Sequence, residues 1–398
     1  MNYSIVSNNM TDTNPINPMV LQWARTTAGL SIDEVVQKLN RKKITAEIIK
    51  AWESGEAAPD YVQLERLAYE VYKRPLAIFF FPQPPAEETP QQAFRTLPDS
   101  EIQRLSPRLR LLLRRAQAMQ LNLYELYEGV NPANRQIVRD LQFSLDTPVQ
   151  ELAHVVRQYL GLELTEQFKW RSRDEAFKAW RHALENCGVF VFKDAFKEEA
   201  VSGFCLHDKR FPLIYVNNST AVTRQIFTLF HGLAHLLSGT GGIDRLDDRY
   251  ISSLSGRNKQ IEVLCNRFVA AFLVPEADFD RRIGGMLINE ATISTLANQY
   301  SVSREVILRR LLDKKLVTPQ HYEQLVEEWC NNVVDKQSDG GDYYRTQGAY
   351  LGERYLELVF RRLYQNKISV EQLADYLGVK ASSVPGMEAL ILPGGAGA

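Results

Sequence analysis

Phe227 to Leu237 reads FTLFHGLAHLL, an apolar run broken by Thr228, His231, Gly232 and His235. On a helix, His231 and His235 share one face about 5 to 6 Å apart, close enough to hold one metal ion between them. Two imidazoles leave a zinc site short of a third protein ligand. Glu262, in IEVLCNRFVAAFLVP, stands early in a separate helix able to pack beside the first. Asn266, four residues on, shares its face and is placed to order a ligand or loop nearby. Histidines at this spacing also serve purely structural roles; the second helix with its glutamate turns the reading toward one zinc per chain.

Position 232 decides what such a site can do. In a zinc peptidase the carboxylate directly after the first histidine takes a proton from the metal-activated water and hands it to the leaving amine. Gly232 has no group to do this, and loss of a positioned base costs about 10²- to 10⁴-fold in rate. A glycine inside a helix also costs about 1 kcal/mol relative to alanine. No intact catalytic set is therefore expected, and activity is expected to be impaired or absent. Natural loss and replacement of an original glutamate are both compatible with the residues. His207 has two readings, an auxiliary group steadying an oxyanion or a surface or turn residue. Tyr215 and Asn217 are expected to line the cleft, since a strand beside such a helix presents its edge to extended peptides.

Around this helix the pattern is α+β. AWRHALENCG reads as a helix, GVFVFKDAF as a strand, and GFCLHDKRFPLIYVN as two short strands around Pro212. Pro275 closes the helix bearing Glu262, and helical periodicity continues through HYEQLVEEWC. These residues, 176–330, form the expected central domain. NNVVDKQSDGGDYY is a predicted loop, and 331–398 a loop with a small helical tail.

Toward the N-terminus, residues 15–81 read as short helices. MVLQWARTTAGL stops at Gly29; Ser31 with Glu34 is a capping-box pattern before IDEVVQKLN; Thr45 opens AEIIKAWES. Such a pair places its second helix for a DNA major groove, with Thr45, Glu47 and Lys50 toward base edges and Arg41, Lys42 and Lys43 toward phosphates. Trp52 reads as core. Pro82, Pro84, Pro85 and Pro90 mark 82–98 as an exposed, stiff linker, and 99–175 as a helical connecting region with a long helix from Pro107.

The whole chain constrains these readings. It has 398 residues and 45% apolar content, with 47 Lys and Arg against 48 Asp and Glu, so bulk charge announces no nucleic-acid binder and a local footprint must carry that function. No run is long and apolar enough for a membrane span, and the polar start lacks a secretory pattern, so a cytoplasmic setting without membrane is expected. Cys187, Cys205, Cys265 and Cys330 are too widely spaced for a zinc ribbon or a disulfide framework.

Two family resemblances follow from the quoted text. Trp180 to Pro275, through AWRHALENCGVFVF, GFCLHDKRFPLIYVNNS, RQIFTLFHGLAHLL and EVLCNRFVAAFLVP, resembles the zinc peptidase domain of the ImmA/IrrE family, whose helix usually reads HELxH. The resemblance implies a zincin-like fold, zinc on His231, His235 and Glu262, and a catalytic carboxylate where this chain carries Gly232. Val20 to Tyr72 resembles the helix-turn-helix domain of the xenobiotic-response-element regulators. The implied whole is multidomain, with an all-α helix-turn-helix head, the α+β domain and the helical tail.

Such a fusion looks like a stress or mobile-element regulator, or the antitoxin of a toxin–antitoxin pair. The expected partners are a double-stranded DNA operator and a partner protein such as a cognate toxin or repressor. A single small head binds weakly, so a homodimer on two half-sites is expected. The alternatives are a zinc endopeptidase cleaving a regulatory protein, and an interaction scaffold with neither activity.

Overall fold

The computed structural model describes residues 16–391 apart from Lys42, Thr96, Asp247 and 332–341. The chain divides into two compact units, one of residues 1–90 with 103–114, the other of residues 91–102 with 115–398.

The first unit is helical. α1 (Pro18–Ala28) starts on the Asn17 side chain and stops at Gly29, whose φ of 72° is the left-handed conformation that glycine adopts without penalty. α2 (Ile32–Leu39) opens with a capping box between Ser31 and Glu34. α3 (Ala46–Ser54) follows a short turn and begins after Thr45. Val20, Leu21, Ala24, Val35, Ile49 and Trp52 are buried together, so Trp52 belongs to the core. Arg25 forks onto both Glu53 oxygens at 2.7 and 2.8 Å, tying α1 to α3.

The second unit is helix-rich around one small mixed sheet. α4 (Arg173–Asn186) leads into β1 (Phe190–Asp194), followed by β2 (Val201–Leu206) and β3 (Leu213–Asn217). α5 (Val222–Leu237) carries the two histidines, β4 (Gly242–Arg245) returns to the sheet, and α6 (Gly256–Leu273) carries Glu262. Strand order is β1-β3-β2-β4, with β1 parallel to β3 and the other two pairs antiparallel. Alternation assigns the faces: Val191, Cys205, Ile214 and Val216 enter the core that contains α5, while Phe204 and Tyr215 stack with Phe196. α5 is buried on nearly every side, because the sheet covers one flank and α6 another. That explains why FTLFHGLAHLL lacks an amphipathic stripe.

Two stretches depart from the sequence expectation. β4, sequence GIDR, has too few β-branched and aromatic residues to announce a strand. The 82–98 linker is not exposed throughout: Pro90–Ala93 is a helical turn, and Phe94 and Leu97 are 0% and 5% exposed. Its prolines masked two apolar anchors. Of the loop expected at 331–344, residues 332–341 lie outside the described residues, and its ends are helical: Asn331 closes the helix Pro319–Asn331, and Tyr343 and Tyr344 open the helix Tyr343–Leu351, which Glu353–Tyr364 and Val370–Leu377 follow. No helix among the described residues is long and apolar enough to cross a membrane.

Candidate metal centre

His231 and His235 project from α5 toward Glu262 on α6. The two Nε2 atoms are 3.1 Å apart, and Glu262 carboxylate oxygens lie 3.6 Å from His231 Nε2 and 3.4 Å from His235 Nε2. The three side chains are 3%, 0% and 0% exposed, so the cluster has almost no open face.

The outer nitrogens explain how the rings are held. His231 Nδ1 is 3.0 Å from Asn266 Oδ1, and His235 Nδ1 is 3.3 Å from Thr240 Oγ1. The Thr240 hydroxyl donates to the His235 carbonyl, which leaves its oxygen free to accept from the ring. With a proton on each Nδ1, both Nε2 lone pairs face inward. Tyr250 donates to Glu262 Oε2 at 2.8 Å, while buried Oε1 has no hydrogen-bond donor. Two imidazole lone pairs and a part-satisfied carboxylate thus converge in a water-poor pocket. Such a donor set fits a divalent cation of the zinc type, which burial without one would leave costly. Among the described residues these are the His, Cys, Asp or Glu side chains grouped closely enough to hold a metal.

In the metal-free protein, burial disfavours charge on all three groups, but neighbouring charges within and around the cluster outweigh it. Glu262 is held well below the usual carboxylate range by the two histidines. His231 is raised by Asp244 and then Glu262, and His235 is pushed up to about 10 by Cys265 and then Glu262.

Two glycines set how closely α5 meets the sheet. A Cβ on Gly242 would come within 2.5 to 2.6 Å of three His235 ring atoms, so the ring lies directly on the β4 backbone. A Cβ on Gly232 would meet Ile214 at 3.2 Å and Cys205 at 3.4 Å. Position 232 therefore points into a tight helix–sheet contact. Asp244 fastens the same junction by accepting from Arg224 at 2.5 Å and Thr228 at 2.6 Å.

Residues 184–312 match the family model of the IrrE N-terminal-like domain. No curated protein matches the chain. The matched segment contains β1 to β4, both the histidine and the glutamate helices and every donor described above, and the family that the model describes is one of zinc metallopeptidases. The match reaches neither the first unit nor the helices after 312.

The other expected site residues are placed as follows. Tyr215 and Asn217 do not line the cluster: alternation along β3 turns them away from α5, where Ile214 and Val216 pack. Tyr215 bonds Asp194 at 3.3 Å, and Asn217 is a buried bracket that accepts from Phe196 and Ser219 backbone N–H groups and donates to the Val201 carbonyl. His207 is exposed just past β2 and is not in the metal-binding group. In the first unit Arg41, Lys43, Thr45, Glu47 and Lys50 are all exposed, opposite buried Ile49 and Trp52; Lys42 lies outside the described residues. Thr240, Gly242 and Tyr250 escape a reading of the sequence, because a lone hydroxyl or glycine carries no spacing signal until the fold brings it to a ligand.

Proposed function

We propose that this chain is a DNA-binding transcriptional regulator of antitoxin type, whose IrrE-like domain holds zinc without a general base and engages a partner protein, a cognate toxin or repressor, rather than cutting it. The observation that carries the proposal is Gly232. The donor set for zinc is complete, yet the residue after the first histidine has no side chain and packs against Ile214 and Cys205. When bound, zinc supplies a Lewis acid; His231, His235 and Glu262 hold it, and Asn266, Thr240 and Tyr250 fix their orientation. On this reading the cluster organises the junction of α5, α6 and β4 as a binding platform.

The exposed face of α3 supports the DNA-reading half. Thr45, Glu47 and Lys50 stand on the first turns of a helix whose opposite side is core, with Arg41 and Lys43 in the turn before it. That placement suits base-edge contacts from the helix and phosphate contacts from the turn. The test is selection of an operator from random duplex DNA with the full chain, followed by mobility shifts with Thr45→Ala/Lys50→Ala and Arg41→Ala/Lys43→Ala. The first pair should relax sequence preference. The second should weaken binding on all sequences and lower the salt slope by about 0.9 for each lost phosphate contact. An operator bound equally by both variants, or after removal of residues 1–80, would overturn the assignment.

The family match favours a second reading, a zinc endopeptidase in which Gly232 replaces the base. Gly232→Glu alone and with Ile214→Ala, the latter to make room, separates the two. Zinc-dependent cleavage of a partner by either variant would favour the enzyme.

A further inference from the structure

Lys193 stands near the end of β1 opposite Val216 of β3, so its side chain leaves the sheet on the face that packs against the helices. There its Nζ sits 3.7 Å above the centre of the Phe177 ring, and Phe177 on α4 is buried in the core. Among the described residues no acceptor bonds this nitrogen and no carboxylate pairs with it. The acids closest along its own elements are committed elsewhere: Asp194 accepts from Arg115 at 2.8 Å and from Tyr215 at 3.3 Å, and Glu185 accepts from Arg181 at 2.9 Å. Cations flank it instead. Arg181 donates to the Val191 carbonyl, which sets its guanidinium against the same strand, and Lys178 follows Phe177 on α4. Burial, with repulsion from Arg181 and Lys178 working against the pull of exposed Asp174, lowers Lys193 to about 7. The ring face favours the ammonium and offsets only part of this. An ordinary exposed lysine offers a lone pair at neutral pH in only about one molecule in a thousand. Half-buried Lys193 offers one routinely, at a nitrogen that small solutes can reach.

We propose that Lys193 is a site of reversible carbamate formation with carbon dioxide. The Nζ lone pair attacks the carbon, one C=O π pair moves onto oxygen, and the nitrogen releases a proton to solvent; no leaving group and no second reagent is needed. Charge selects this chemistry among the modifications of an amine. Arg181 and Lys178 repel the ammonium but attract a carbamate, which is an anion. An acyl amide is neutral and a protonated imine is cationic, so neither gains from these two neighbours. Carbon dioxide is also small enough for a nitrogen lodged against a ring. The inference is independent of the metal centre.

The test equilibrates the full chain with carbon dioxide near neutral pH and traps carbamates as stable esters with an oxonium alkylating agent, and peptide mass spectrometry then locates them. The ester should form on Lys193 at least about tenfold more than on exposed Lys209 and Lys259 in the same sample, and should vanish under nitrogen. Lys178→Glu, at an exposed position, should cut trapping at least about threefold, because it holds the proton on Lys193 and repels the product. Carbon-13 resonance with labelled bicarbonate gives a second readout: the native chain should show a carbamate carbon that Lys193→Met lacks. Trapping at Lys193 no greater than at Lys209 and Lys259, trapping unchanged by Lys178→Glu, or an equal carbamate signal in Lys193→Met would each overturn the proposal.

Discussion

A methyl group at position 242 tests the metal centre without touching a ligand. In Gly242→Ala the new Cβ would sit 2.5 to 2.6 Å from three atoms of the His235 ring. Carbon atoms rest about 3.5 to 4.0 Å apart, so the ring must retreat by roughly 1 Å. Zinc tolerates little of that: its bonds to histidine nitrogen are about 2.0 to 2.1 Å, and workable sites keep within about 0.2 Å of them. His235 has no free volume to compensate, being fully buried between β4 and α6. We expect zinc affinity to fall at least about 100-fold, which corresponds to about 2.7 kcal/mol. At zinc concentrations that saturate the native protein but not the variant, the same energy disappears from stability. For a unit of this size, with about 2.1 cal/mol/K of unfolding entropy per residue, that is a melting temperature lower by about 4 °C. In chelator the two proteins should melt closer together, since alanine in a strand offsets part of the strain by about 0.5 to 1 kcal/mol. Competition with a chromogenic chelator measures the affinity, and circular dichroism confirms the fold. A variant that binds zinc as tightly as the native chain would refute the placement of His235 against β4.

Other outcomes follow from the same geometry. Tyr250→Phe removes the donor to Glu262 Oε2 and should weaken zinc binding about 10- to 100-fold while leaving the melting temperature in chelator nearly unchanged. Gly232→Ala should gain about 1 kcal/mol of helix propensity and lose about 1 to 3 kcal/mol to crowding against Ile214, a net loss of up to about 2 kcal/mol in denaturant titration; a full kcal/mol of stabilisation would contradict the close contact. The metal-free and zinc-loaded proteins should respond to pH in opposite directions. His235 rises from 6.5 to about 10 on folding without metal, so that contribution is complete below 6.5 and is lost as pH climbs toward 10. Zinc must displace protons from the same nitrogens, so its affinity should increase over that interval. Thermal melts across this range, with zinc and with chelator, would reveal parallel trends if the coupling is wrong.

Legibility in the sequence tracked the range of each interaction. Caps and helix ends are local, so Ser31 with Glu34 and Gly29 could be read directly. The spacing of His231 and His235 specified one face of one helix, and Glu262 became a candidate because it also stood on a helix. What failed was which side of an element faces which neighbour. Tyr215 and Asn217 lie one residue from Ile214 and Val216, and in a strand that single step moves a side chain to the opposite face. The burial of Phe94 and Leu97 was hidden for another reason: prolines nearby suggested an exposed spacer, whereas Phe94 packs edge-on to Phe204 of β2, a contact that only the fold makes. Thr240, Gly242 and Tyr250 matter only through contacts that close after the fold has formed.

Bound metal tests the central claim most directly. Elemental analysis of the full chain purified without added metal, beside a His231→Ala/His235→Ala variant, should find about one zinc per chain in the first and none in the second. No metal in either, or equal metal in both, would contradict a zinc centre on His231, His235 and Glu262.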